Sequence, residues 1–238
     1  METLITYGIR ITPGLAALVL LLVLLPKQAE GLRITVYIGI FIVIRDAMTP
    51  AGLWTFGTEG FFWLRFVDSL PLLPFIAAGS GAVAIAMLIA EPRWRKRIEW
   101  IGRDGKSAAG IAAGILAGLL GAAITATPVL LVHALVAFDA PEVPLLLLPG
   151  IAAVALAGNF YEELLFRGFL QDYLEAQPAV QPLQAAVLSG AAFAAGHAFL
   201  AVTVTAVGAP LLLFALYEGV IAGLIRMRWG LIPAVLSH

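Results

Sequence analysis

The sequence predicts an all-α fold, a polytopic transmembrane helix bundle of about eight membrane helices with the last one short or truncated. Three observations carry this. Hydrophobic residues fill 61% of the 238 positions and charged residues only 12%, about half of the roughly 25% usual in soluble domains. The mean hydropathy is +0.99. Apolar stretches of the length needed to cross hydrocarbon, about 20 residues at 1.5 Å each, succeed one another with no soluble domain or long linker between them. Residues 1–238 therefore read as a single integral membrane domain whose partner is the lipid bilayer. A net charge of −1 gives no reason to expect a nucleic-acid partner. With no Cys, disulfides, Cys-ligated zinc and thiol catalysis are excluded.

The first span covers residues 6–25 and stops at Pro26-Lys27. It reads as a retained helix rather than a cleaved signal, because Glu2 spoils a basic leader and no small-x-small cleavage site follows. The second starts near Arg33, includes 34–44 and is interrupted by Arg45 and Asp46, so it either ends there as a short helix or continues to Trp54, with a loop after it. The third covers 70–90, and the fourth 108–138, long enough to tilt or to break near Pro128. The fifth, 144–174, has a polar second half; the sixth and seventh cover 183–207 and 209–225. An eighth runs from Trp229 to His238, too short to cross, so it is expected to be re-entrant or cut short. On the fourth span Gly110, Gly114 and Gly118 recur every four residues, a spacing that lets helices approach closely. Packing within one chain is the expected use, ahead of a dimer contact.

Lys and Arg beside the spans set the orientation. The linker from Glu91 to Arg97, followed by Arg103 and Lys106, is the most basic segment and is expected in the cytoplasm. The Lys27/Arg33 loop, the 175–182 loop and Arg226/Arg228 fall on the same side by parity. The loop with Asp139 and Glu142 then lies outside, as does the loop where Arg45 and Arg65 are offset by Asp46, Glu59 and Asp68.

Ionisable side chains at membrane depth are expensive and usually pair or line a cavity. Glu163 and Arg167, four apart, form an intrahelical ion pair, and Arg167 supports its neighbours by fixing that carboxylate. Glu162 points about 100° away and has no such partner, so a histidine or an activated water is expected to satisfy it. Rise per residue puts Glu162 about 18 Å, His197 roughly 20 Å and His238 roughly 14 Å from the cytoplasmic ends of their helices. Three titratable groups from three segments thus reach one level, expected to open towards the cytoplasm. A carboxylate and two imidazoles suit hydrolysis: Glu as general base on a water, His to orient it, stabilise an oxyanion or bind a metal. His133 reads as a packing residue, and Glu218 as structural, on one face with Arg226.

Glu162-Glu163-x3-Arg167, then Phe193-x3-His197, then a histidine on a late helix resembles the CPBP intramembrane proteases, that is, the CAAX proteases and bacteriocin-processing (Abi) proteins. The type II (Ras-converting) CAAX prenyl endopeptidase is a relative of that family. The resemblance covers 160–238, within a motif-bearing core of about 144–238. It implies an eight-helix bundle with a cytoplasm-facing cavity, in the plasma membrane of a prokaryote or the endoplasmic reticulum of a eukaryote. It also implies Glu162 as base, His197 holding the water and His238 supporting the oxyanion, with Glu163 and Arg167 completing the catalytic set. The implied substrate is a membrane-associated peptide or a prenylated CAAX-type protein tail. The family's last histidine is usually followed four residues on by Asn or another polar residue; losing that donor is expected to cost about 10²–10³ in rate. Glu162, His197 and His238 are also an acceptable three-ligand zinc set. There is no HExxH, however, and a metal-free, glutamate-activated water is the alternative. Two other functions compete: a proton-coupled transporter using the same Glu/His cluster, against which stands the lack of paired halves, and an inactive scaffold that binds membrane segments.

Overall fold

The computed structural model describes residues 2–57, 63–102, 107–136, 142–200 and 208–238. Helix α1 (Glu2–Leu24) and α2 (Glu30–Asp46) form an antiparallel pair. A two-stranded antiparallel hairpin, β1 (Trp54–Gly57) and β2 (Trp63–Phe66), follows. Next come α3 (Leu72–Ala90), the short basic α4 (Pro92–Arg97) and α5 (Ala108–Leu135). A 3₁₀ turn (Leu145–Leu147) leads into α6 (Leu148–Glu163), which passes through a π-helical stretch (Leu164–Gln171) into α7 (Asp172–Glu175) without leaving its axis. Then follow α8 (Pro182–Gly196), α9 (Ala209–Trp229) and α10 (Leu231–Ser237). This is a polytopic helical bundle. Among the described residues, five helices are long and apolar enough to cross a membrane: Glu2–Leu24, Leu72–Ala90, Ala108–Leu135, Leu145–Glu175 and Ala209–Trp229.

Two departures from the sequence reading matter. The 51–66 stretch, expected to be helical or loop, forms the hairpin, in which Trp54 pairs with Phe66 and Phe56 with Leu64. Aromatic residues at alternate positions suit a pleated, half-buried surface. The sixth helix stops at Gly196, with His197 as its C-terminal cap; residues 201–207 of the expected span lie outside the described residues. So do Glu59, Arg103, Lys106 and Asp139. Helix α10, with seven residues, is too short to cross a membrane, as expected, and is buried within the protein.

Two features hold α10 in place. At its start, the Leu231 and Ile232 amides donate to the Glu99 and Trp100 carbonyls at 2.8 and 2.9 Å, satisfying donors that a helix start leaves open. Along its length it lies against the small-residue stripe of α5. A Cβ added at Gly118 would sit 2.7 Å from the Pro233 carbonyl oxygen, so only a glycine permits this approach. Gly114 and Gly118 are therefore used inside the chain, as expected.

The bundle has two distinct ends. At one, Lys27 donates to the Ala90 carbonyl, Arg97 bridges Glu30 and Asp172, Arg226 pairs with Glu175, and Gly102 donates to the Trp229 carbonyl. This basic end joins the loops after α1, α3, α7 and α9. At the other end Phe66 and Val67 of the hairpin pack with Leu73 of α3 and with Leu147 and Val154 of the α6 segment. Between them lies a core centred on Phe41, Tyr161, Phe166, Phe169 and Phe193.

Candidate active site

Helix α6 ends on two adjacent glutamates that the helical twist sends in different directions. Glu163 is fully buried and accepts a 2.7 Å hydrogen bond from Arg167 Nη1, the expected i, i+4 pair. Arg167 also donates to the Gly219 carbonyl at 2.8 Å, tying α6 to α9. The same Glu163 oxygen accepts from His238 Nδ1 at 2.9 Å. That bond fixes the ring and turns its Nε2 towards Glu162.

Glu162 faces the cavity. Its Oε2 lies 3.7 Å from His197 Nε2 and 3.8 Å from His238 Nε2. His197 Nδ1 donates to the Phe193 carbonyl at 2.8 Å, so its Nε2 is the nitrogen left for Glu162. Phe193, one turn before His197, touches both imidazoles, with ring centroids 4.4 and 5.4 Å away, and also lies under Arg167. The phenylalanine of the Phe-x3-His spacing is thus the common wall of the site. The π-helical stretch begins directly after Glu163, a widening of the helix of the kind that clusters at functional sites.

The expectation that Glu162 lacks an ion-pair partner is corrected here. Arg45, at the end of α2, donates through Nη2 to Glu162 Oε1 at 2.5 Å, with both side chains nearly inaccessible. Its guanidinium stacks near Phe41 and Trp54, and its Nε has no hydrogen-bond partner among the described residues. Gly158, one turn before Glu162, makes the room; a Cβ there would lie 2.9 Å from Arg45 Nη2. An arginine ending an apolar run was a visible signal, but one read as the boundary of a loop.

Glu218 is the second correction. It does not pair with Arg226, which bonds Glu175 at the basic end; its Oε1 instead lies 3.6 Å from His238 Nε2. Helices α8 and α9 come close enough for this because Gly190 and Gly219 meet backbone to backbone. Asn159, three residues before Glu162, also lines the cavity, unremarked in the sequence although an amide in an apolar helix was the clue. His133 lies elsewhere, bonded to the Val129 carbonyl of its own helix.

These groups share a cavity of about 220 Å³ bounded by the hairpin, α6, α8 and α9. It lies between Glu162 and the hairpin, away from the basic loops. The spacing also tests the zinc reading. Ligands about 2.0–2.1 Å from a tetrahedral zinc lie roughly 3.3–3.4 Å apart, closer than the 3.7 and 3.8 Å found here. A permanent cation, Arg45, already holds the carboxylate. No group of three His, Asp or Glu among the described residues has the arrangement of a metal site. The three residues do not fit zinc as they stand.

Comparison with known families matches residues 144–238 to the family described as type II CAAX prenyl endopeptidase Rce1-like. No curated protein and no solved structure gives a significant match.

Proposed function

We propose, from the match of residues 144–238 to the type II CAAX prenyl endopeptidase Rce1-like family, that this chain is an intramembrane peptidase that uses a glutamate-activated water. The supporting observation is the convergence of Glu162 Oε2 with the Nε2 atoms of His197 and His238 at 3.7 and 3.8 Å. A single water can bridge groups at such spacings.

In the proposed reaction Glu162 takes a proton from that water, whose oxygen bonds to the scissile carbonyl carbon. Collapse of the tetrahedral adduct breaks the C–N bond, and Glu162 returns the proton to the leaving amine. His197 holds the water through Nε2. The adduct's oxyanion needs N–H donors; His238, Arg45 and Asn159 all line the cavity and are the candidates. Glu163 and Arg167 act indirectly, by holding the His238 ring. Arg45 holds one oxygen of Glu162 and leaves the second facing the imidazoles. The substrate class suggested by the family is a membrane-associated peptide, with a prenylated CAAX-type tail as its type case.

The test is cleavage of lipidated reporter peptides by the purified chain in liposomes. Glu162→Gln and His197→Ala are expected to abolish turnover; cleavage at the unmutated rate would end the proposal.

A further inference from the structure

Three carboxylates surround the imidazole of His238. Its Nδ1 donates to Glu163 Oε1 at 2.9 Å, and its Nε2 lies 3.8 Å from Glu162 Oε2 and 3.6 Å from Glu218 Oε1. Two of these acids have a guanidinium: Arg45, from α2, holds Glu162, and Arg167 holds Glu163. Glu218, on α9 with 14% of its side chain exposed, pairs with neither; among the described residues its ion-pair partner is His238. His197, from α8, faces Glu162 at 3.7 Å and gives its Nδ1 hydrogen to the Phe193 carbonyl. Helix α5, against which α10 lies, brings no Lys, Arg, Asp or Glu, and its His133 bonds the Val129 carbonyl.

Hydrogen counting decides which form of His238 such a setting accepts. Glu163 already accepts from Arg167, and a carboxylate has no hydrogen to give, so Nδ1 carries one. The second nitrogen faces two more carboxylate oxygens. A lone pair there would meet negative charge from both, and a water among them has two hydrogens for three acceptors. At His197, where one carboxylate faces Nε2, a water satisfies both sides. Charge points the same way. Three carboxylates against two guanidiniums leave one negative charge without a partner, which is costly in a low-dielectric site. A second hydrogen on His238 cancels it. We propose that Glu218 is a positioning residue that holds His238 as the doubly protonated imidazolium, so that its Nε2–H stands in the cavity as the oxyanion donor. The oxyanion role rests on the peptidase reading; the imidazolium does not.

The chain has 3 His, so His133→Gln with His197→Gln leaves His238 to be read by itself, without any need for turnover. With ¹⁵N-labelled histidine, NMR of that chain in detergent at neutral pH is expected to show a hydrogen on both ring nitrogens. Adding Glu218→Gln, which keeps the shape and removes the charge, is expected to leave a hydrogen on Nδ1 alone. A neutral ring before that substitution, or an imidazolium that survives it, overturns the proposal. In the chain with all its histidines, Glu218→Gln is expected to lower kcat for the lipidated reporter by about 10²–10³, the usual cost of one oxyanion donor, with KM unchanged. Glu218→Asp, which restores the charge, is expected to recover part of that loss. An unaltered kcat in Glu218→Gln overturns the positioning role while the peptidase reading stands. If the NMR result is as expected and the unmutated chain cleaves nothing, the oxyanion role falls together with the peptidase reading, and the imidazolium stands.

Discussion

Arg45 and Glu162 form a buried ion pair between residues 117 positions apart. Removing one partner of such a pair typically costs 3–5 kcal/mol, because the other charge is left uncompensated in a low dielectric. Arg45→Met should therefore lower the thermal unfolding temperature in detergent, and Glu162→Gln in the same background should restore part of it. If Arg45→Met alone unfolds at the unmutated temperature, the pair does not hold the site. Glu163 acts at one remove: it accepts from both Arg167 and His238. Glu163→Gln keeps the shape but loosens the imidazole, and an effect of about 10–100-fold is expected, on kcat rather than KM. The Glu163–Arg167 pair was legible in the sequence because it is local, four residues on one helix. The Arg45–Glu162 pair was not, since nothing in a linear pattern says which distant cation a carboxylate will meet.

At the scale of elements, the site depends on short helices being pressed into place. Helix α10 has seven residues and places His238 only because the glycine stripe of α5 lets it lie flush. Gly118→Val would put carbon atoms onto the Pro233 carbonyl, pushing α10 and its histidine outward. Peptidase activity should fall while α-helical content by circular dichroism stays constant; unchanged activity would show that α10 tolerates the wedge. The small-residue spacing itself was plain in the sequence, including its use within one chain. Its partner was not, because α10 is too short to announce itself by hydropathy. The hairpin escaped for a related reason. Its four-residue strands sit in a chain whose apolar background hides a two-residue period.

At the scale of the whole molecule, the two ends divide the work. The basic end is a tie of partly exposed ion pairs around Arg97, Glu30 and Asp172. Exposed pairs are worth about 0–1 kcal/mol, so Arg97→Ala should cost no more than that by denaturant titration and leave peptide cleavage unaltered. A larger loss of activity would mean that the basic end communicates with the cavity. The hairpin end holds the candidate site, and there the motif-bearing half of the chain meets the other half: Arg45, Trp54 and Phe56 of the first sixty residues line a cavity whose motifs lie in 160–238. The resemblance carried by the motifs covers that second half, which is why the contribution of the first half went unread.

The sequence by itself determined the helical membrane character, the basic end and the three groups that converge at the site. These follow from hydropathy, from charge placement and from rise per residue, all of which act along one helix at a time. Tertiary structure alone decided that Glu162 is held by Arg45, that Glu218 turns to His238, and that the cavity lies away from the basic loops. Each depends on the rotation and sliding of helices against one another, set by side-chain volume where glycines allow backbones to touch, and a one-dimensional pattern does not encode that.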